Sequence, residues 1–271
     1  MSRRLKRVVK LFISCIFFVL NDLSAMLLRM VGRKFGGQCV ILYYHSITNQ
    51  QREAFARQMD RFCSLVTPIS GINFLASHAK GIYGMITFDD GYESTVNNAL
   101  PQLRARDLPC TIFIPTGSLG TRPQWVRDSS NPFYSERVID RGQIAQLSSE
   151  KLVSIGSHGV SHTNSCRLSD EEFRCEVVES KKVLEEITNN PVTSFSFPHG
   201  KYTSRHLDIL QAAGYVRAFS IDPSVERPGS EKFLLGRVSV NPDDWRIEFF
   251  LKILGAYRWQ NWTSHQKNNC A

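Results

Sequence analysis

The chain has 271 residues, 42% hydrophobic and 21% charged, enough to bury the core of one large domain or of a domain with a tail. Its formal net charge of +8 is concentrated in the first 34 residues, at Arg3, Arg4, Lys6, Arg7, Lys10, Arg29, Arg33 and Lys34. This favours an anionic membrane surface as partner, and no basic stripe interleaved with aromatics follows that would point to nucleic acid.

Residues 1–36 read as a unit separate from 37–271. Residues 11–20 are apolar except for Ser14, Asn21-Asp22 interrupts, and a second apolar run over 23–31 is broken by Arg29. Neither run reaches the ~20 residues that span a bilayer. On one helix, Arg3, Arg7, Lys10, Ser14, Asn21 and Arg29 fall within a roughly 100° arc, which also holds Leu11, Phe18 and Leu28. A helix lying in the membrane interface fits this pattern. The alternatives are a secretory signal with Leu23-Ser24-Ala25 as a weak cleavage site, and a tilted span.

From residue 37 onward strand and helix alternate. Strands are expected over 39–44, 83–88, 110–114, 152–156, 192–197, 215–221 and 234–240. Asp222-Pro223 ends the sixth. Helices are expected over 54–65, 96–106 (with a kink or restart at Pro101), 169–187, 204–213 and 245–254. The third has Ser169 as N-cap, Glu172 three residues on, and Phe173, Val177 and Leu184 on one face. Residues 116–138, rich in Gly, Pro and Ser, read as a surface loop. Repeated βα units imply a parallel sheet or barrel. The seven cysteines are an odd set without zinc-ribbon or redox spacing, and they point to an absence of structural disulfides. Cys39, Cys63 and Cys110 look like small core residues, and Cys166 and Cys175 like helix-surface ones.

Two strands end in chemistry. Residues 83–88 run into Asp89-Asp90-Gly91, and 152–156 run into Ser157-His158-Gly159-Val160-Ser161-His162. Asp-Asp-Gly alone is usually a turn, and a lone pair of histidines four apart is usually surface. Both motifs at C-terminal strand ends, where open sheets and barrels collect their chemistry, carry more than either does alone. Two imidazoles from a helical turn or a tight loop, with one carboxylate, leave a zinc-like ion an open position for water. The other carboxylate is free to accept a proton.

Thr87-Phe88-Asp89-Asp90-Gly91, His158 with His162, and Phe197-Pro198-His199-Gly200, in this order, resemble the polysaccharide deacetylase family, or NodB-homology domain (carbohydrate esterase family 4). The likeness runs from Val40 to about Val240 and takes in Tyr44-His45, Pro109 to Phe113 and Ala213-Gly214-Tyr215. The resemblance implies an α/β fold, a distorted (β/α) barrel of about seven parallel strands, preceded here by the N-terminal helix. It implies hydrolysis of acetyl groups from sugars with one divalent ion, most often zinc. Carried over, Asp89 is the base, Asp90, His158 and His162 hold the metal, and the His199 N–H helps to hold the oxyanion. Tyr92 and Pro198, beside the first and third motifs, take substrate-contact or orienting roles.

This chain also departs from the familiar pattern. His199 stands where an aromatic is usual, no arginine precedes the third motif, and the late leucine-x-histidine is missing. The chain is similar instead to a branch with a tyrosine-histidine on the first strand and an arginine on the last. His45 or His199 then supplies the acid, His45 being preferred, and Arg237 orients Asp89.

The implied substrate is an N-acetylated polysaccharide or lipid-linked saccharide, met at a membrane surface through residues 1–34. A protein exported through a signal peptide is the alternative location. A non-sugar amide substrate and a glycan-binding pseudoenzyme are the alternative functions.

Overall fold

The apolar runs become short parallel strands buried on both faces, as expected where helices cover a sheet. The structure, a computed structural model, describes residues 2–30, 37–70, 80–226 and 232–261. The chain order is helix α1 (Arg3–Met30), β1 (Gln38–Tyr44), α2 (Arg52–Leu65), β2 (Thr67–Pro68), β3 (Ile82–Phe88), α3 (Leu100–Arg104) and β4 (Cys110–Ile114). There follow α4 (Arg141–Ser148), β5 (Val153–Ser157), α5 (Asp170–Thr188), β6 (Ser194–Ser196), α6 (Ser204–Ala212), β7 (Arg217–Phe219), β8 (Leu234–Leu235), β9 (Val238–Ser239) and α7 (Arg246–Ile253).

All pairings between named strands are parallel, in the order β8-β7-β6-β5-β4-β3-β1-β9, with β2 beside β3. β8 and β9 stand at opposite ends of this order, yet only Gly236 and Arg237 separate them. The sheet therefore curls until its two ends meet, giving the distorted barrel that the resemblance implies. The strand expected over 234–240 is split at this seam, because its first half pairs with β7 and its second with β1. A side chain at Gly236 would lie 2.1 Å from the Asp222 carbonyl oxygen, so the crossing admits only glycine.

Alternation along the strands sorts side chains between two cores. Val40, Leu42, Tyr44, Ile86 and Phe88 pack outward under the helices. Cys39, Ile41, Met85, Phe113, Phe219 and Leu235 fill the barrel. Extending the inward set on β3 from Met85 through Thr87 reaches Asp89, so the strand period itself aims that carboxylate inward.

Local signals hold where capping chemistry is strong. In α5, Ser169 Oγ accepts the Glu172 N–H at 3.3 Å and Glu172 returns the bond to the Ser169 N–H at 2.7 Å. The helix expected over 96–106 is a π turn, Thr95–Ala99, followed by α3 with Pro101 in its first turn. Pro101 lacks the N–H that would continue an α-helix, hence the restart. α4 is an addition to the expected elements. It buries only Ile144 and Leu147, too little for a visible period, and its sequence signal is the Asp140–Gln143 capping box.

α1 is one continuous helix that Asn21-Asp22 does not break, and it lies against α7. Arg7 Nε donates to Glu248 at 2.7 Å, its guanidinium covers Trp245 at 4.3 Å, and Ser14 Oγ accepts from Trp259 Nε1 at 2.9 Å. Leu11, Cys15 and Phe18 pack on Leu251, Ala256 and Tyr257. No helix among the described residues is long and apolar enough to cross a membrane. The expected unit boundary at 36, Arg33, Lys34 and Cys270 lie outside the described residues, as do the side chains of Arg3, Asp22 and 24–30. Cys39 and Cys110 are buried free thiols, as expected, whereas Cys63 is exposed. Cys166 is disulfide-bonded, against the expectation of none.

Candidate active site and metal centre

At the end of β3 the two acids part. The Asp89 N–H still bonds the Tyr44 carbonyl at 2.9 Å, but Asp90 adopts φ 70° and Gly91 φ 59°, which turns the chain sharply. A positive φ at a non-glycine residue is costly and marks a position that the surroundings hold in place. Asp89 stays directed into the barrel, while Asp90 turns toward the histidines.

His158 follows β5, and its Nδ1 lies 2.7 Å from the Ser196 carbonyl oxygen. A carbonyl can only accept, so Nδ1 carries the proton and the Nε2 lone pair is left facing Asp90. Nε2 of His158 is 3.6 Å and Nε2 of His162 3.0 Å from Asp90 Oδ1. Ligand atoms of all three buried residues lie within 4.8 Å of one another. Asp90 Oδ1 is buried without a hydrogen-bond partner among the described residues despite that 3.0 Å approach. Electron pairs converging on an unsatisfied oxygen are what a cation would satisfy, so these residues fit a divalent ion. Burial pushes His158 down to about 4, against the opposing pull of Asp89, so it is a neutral, ligand-competent imidazole near neutral pH. Burial alone would raise Asp90, but the contact with His162 and the charges of His162, His45 and His158 hold it well below the usual carboxylate range.

A tight loop, not a helical turn, presents the two histidines. Gly159 has φ 76° and His162 φ 57°. Glu176 of α5 accepts the N–H groups of Val160 at 2.7 Å and Ser161 at 2.9 Å. From the other side, Thr116 and Gly117 donate to the Gly159 and Val160 carbonyls at 3.0 and 2.8 Å.

Asp89 is outside the triad. Arg237 grips it in fork geometry, Nη1 to Oδ1 and Nη2 to Oδ2, both at 2.7 Å. Arg237 is fully buried and also donates to Thr87 Oγ1, Ser196 Oγ and the Ser220 carbonyl. Its guanidinium lies 4.7 Å from the Tyr43 ring centroid and 5.4 Å from that of Phe113. Burial alone would raise Asp89; the Arg237 charge and bonds, with His158 and His45, lower it below the usual range. Ser196 thus links the two halves of the site, its carbonyl fixing His158 and its hydroxyl fixing Arg237.

The remaining expected residues surround this centre. His45 is partly buried and stacks on Phe133 at 5.8 Å. His199 has φ 58°, is exposed, and sets its ring 4.8 Å from that of His162. Pro198 is buried and opens the turn that carries His199. Tyr92 is buried, and burial and then the Asp90 charge raise its pKa. Asp222 accepts the Tyr202 hydroxyl at 3.4 Å beside the third motif.

Sequence reasoning passed over Trp125 and Phe133, both in the 116–138 segment read as a surface loop. Trp125 stacks on His162 at 4.4 Å, and Phe133 stacks on Tyr92 at 5.5 Å and on His45. The available signal was large aromatics inside a polar loop. Glu176 and Ser196 left no local signal. Cys175 is exposed, and neither it nor Cys166 joins the triad.

The family model for polysaccharide deacetylase matches residues 78–218, more than half of the chain. A Bacillus subtilis (strain 168) protein named "Putative polysaccharide deacetylase YxkH" is 25% identical over 213 residues, covering 74% of this chain and 71% of its own. The poly-beta-1,6-N-acetyl-D-glucosamine N-deacetylase of Staphylococcus aureus (strain N315) is 23% identical over 58% of this chain, which spans 54% of that relative. Among solved structures, IcaB from Ammonifex degensii superposes with TM-score 0.68 at 24% identity, covering 83% of this chain and 98% of its own. The Streptococcus pyogenes deacetylase PplD gives TM-score 0.65 at 18% identity, over 80% and 98%. With the curled parallel barrel and the Asp-His-His triad at its strand ends, the family match establishes that this chain belongs to the polysaccharide deacetylase family.

Proposed function

We propose that the protein hydrolyses the acetamide of an N-acetylated glycan, with Asp89 as base. The observation that carries this reading is a buried carboxylate held apart from an adjoining metal-fitting triad. Asp90, His158 and His162 would hold one divalent ion, and two imidazoles with a carboxylate suit zinc. Such an ion supplies polarisation of the acyl oxygen and acidification of water.

This chain's own residues do the rest. Arg237 takes one lone pair on each Asp89 oxygen, which leaves the second pair free to accept a proton from the attacking water. The same grip keeps Asp89 ionised. The N–H of His199, second residue of its helical turn, has no intrahelical acceptor and would donate to the developing oxyanion. As the C–N bond breaks, the nitrogen needs a proton, and His45 is our donor. It is partly buried, stacked on Phe133, and near enough for its charge to lower both carboxylates. Trp125 and Phe133, both partly exposed, wall the site with aromatic surface suited to a sugar face, the buried Tyr92 ring stacks behind them, and Pro198 fixes the third-motif turn. The S. aureus relative, named a poly-beta-1,6-N-acetyl-D-glucosamine N-deacetylase, supports an N-acetylated glycan. We further place the protein at a membrane surface, where that glycan would be met in lipid-linked form.

The test is acetate release from N-acetylglucosamine oligomers by metal-loaded protein. Asp89→Asn should retain stoichiometric metal and lose turnover by ~10²-fold or more. Loss of metal together with activity would refute the division between the acids, and no acetate from the metal-loaded parent would refute the substrate class.

A further inference from the structure

We propose that α1 seats the protein on an anionic bilayer, its apolar side in the lipid and its polar side engaged by the barrel domain. A helix lying on a domain ordinarily turns its apolar side inward and its polar side to water. α1 instead turns inward a mixed side, on which Arg7 and Ser14 bond the domain and Leu11, Cys15 and Phe18 pack on it, and leaves its uniformly apolar side outward. At about 100° per residue, Arg7, Leu11, Ser14 and Phe18 share one side of the helix. That side meets α7 and the turns after it, through Glu248, Trp245, Trp259, Leu251 and Tyr257. Ser14 is fully buried there.

The opposite side presents Leu5, Val8, Phe12, Ile16, Val19 and Leu23, with exposures of 51, 48, 66, 46, 54 and 53%. These six span about 80°, the exposed Val9, Ile13 and Leu20 widen the arc to roughly 140°, and no charged residue of 2–23 falls within it at about 100° per residue. Arg4 borders it on one edge and Lys6 on the other, both exposed. Soluble monomers rarely leave so long an apolar stripe uncovered.

Charge selects the occupant. α1 contains Arg3, Arg4, Lys6, Arg7, Lys10 and Arg29 against one acid, Asp22, and of these cations Arg7 is already paired with Glu248. An anionic lipid surface complements such a face, each cation near it adding about a factor of five in affinity. A second copy meeting the face symmetrically would bring the same excess of cations, with Asp22 as the one acid of the helix.

The seat also has a direction. Arg7 donates to the Asp243 carbonyl at 2.8 Å, in the turn after β9, and to Glu248 of α7. The C-terminal end of β9 lies beside that of β1 (Ser239 opposite Tyr43), and His45 follows β1. The cationic end of α1 therefore lies at the rim where the site opens, which brings the site to headgroup level. The seat stands independently of the catalytic reading.

The test is co-sedimentation of the full chain with phosphatidylcholine vesicles, with and without phosphatidylglycerol. We expect binding that is stronger with phosphatidylglycerol and weakened by salt. Phe12→Ser combined with Ile16→Ser should weaken it at least about tenfold while leaving the circular dichroism spectrum unchanged, since both side chains are exposed. Lys6→Glu with Lys10→Glu should erase the preference for phosphatidylglycerol. A parent that sediments with neither vesicle, or a Phe12/Ile16 variant that binds as the parent does, would overturn the proposal. So would a parent dimer in solution that the same two substitutions dissociate, since a second copy would then cover the face.

Discussion

Removing the Arg237 fork tests how this site is built. Arg237→Met keeps most of the volume but deletes two 2.7 Å bonds to Asp89 and those to Thr87, Ser196 and Ser220. Both partners are buried, so the loss strands a carboxylate in an apolar barrel beside Phe113 and Phe219. Breaking a buried pair from one side costs about 3–5 kcal/mol. Asp89 should also lose the main influence that holds it below the usual range, and burial should then push it up. In the parent the depressed Asp89 contributes stability above the unfolded carboxylate value of about 4, and that contribution is lost as pH falls through its folded value. In the variant this contribution should vanish, and the acid limb of the activity profile should move to higher pH. Urea unfolding at several pH values, with acetate release across the same range, reads both effects. Arg237→Lys guards against simple misfolding, because it keeps the charge but reaches one oxygen at a time, and it should fall between parent and Met. Asp89→Asn in the Arg237→Met background should recover part of the lost stability, because no charge is then stranded. An unshifted acid limb in a folded Arg237 variant, or a double variant less stable than Arg237→Met, would refute the reasoning.

His158→Ala should abolish stoichiometric metal, measured by elemental analysis, while the fold persists, since the barrel is built without that imidazole. Glu176→Gln should weaken metal affinity by ~10–100-fold in a chelator competition, because its carboxylate ties the Val160 and Ser161 N–H groups of the histidine loop. Unchanged affinity in that variant would show that the Thr116 and Gly117 bonds alone fix the loop.

The sequence by itself determined what depends on neighbours in the chain. Period and capping located β1, β3, β4 and α5, and the strand period aimed Asp89 inward through Met85 and Thr87. The motif pair marked His158, His162 and the adjacent acids Asp89 and Asp90, because short spacing at strand ends is a local property, and the family resemblance named Asp90 as the ligand. Tertiary structure decided what depends on remote segments meeting. Asp89 and Arg237 are 148 residues apart and meet only because the sheet curls until β8 and β9 become its two edges. The residues of 234–240 read locally as one strand, and only closure of the barrel splits them and turns Arg237 inward. Trp125 and Phe133 reach the site from a segment without periodicity, so no repeating pattern could place them. α1 shows the limit most plainly. Its apolar and polar arcs were legible from helical geometry, but which arc the domain would engage depended on acids and aromatics more than 200 residues away. Because Glu248, Trp245 and Trp259 offer Arg7 and Ser14 better partners than water does, the polar side turned in and the apolar side was left facing out.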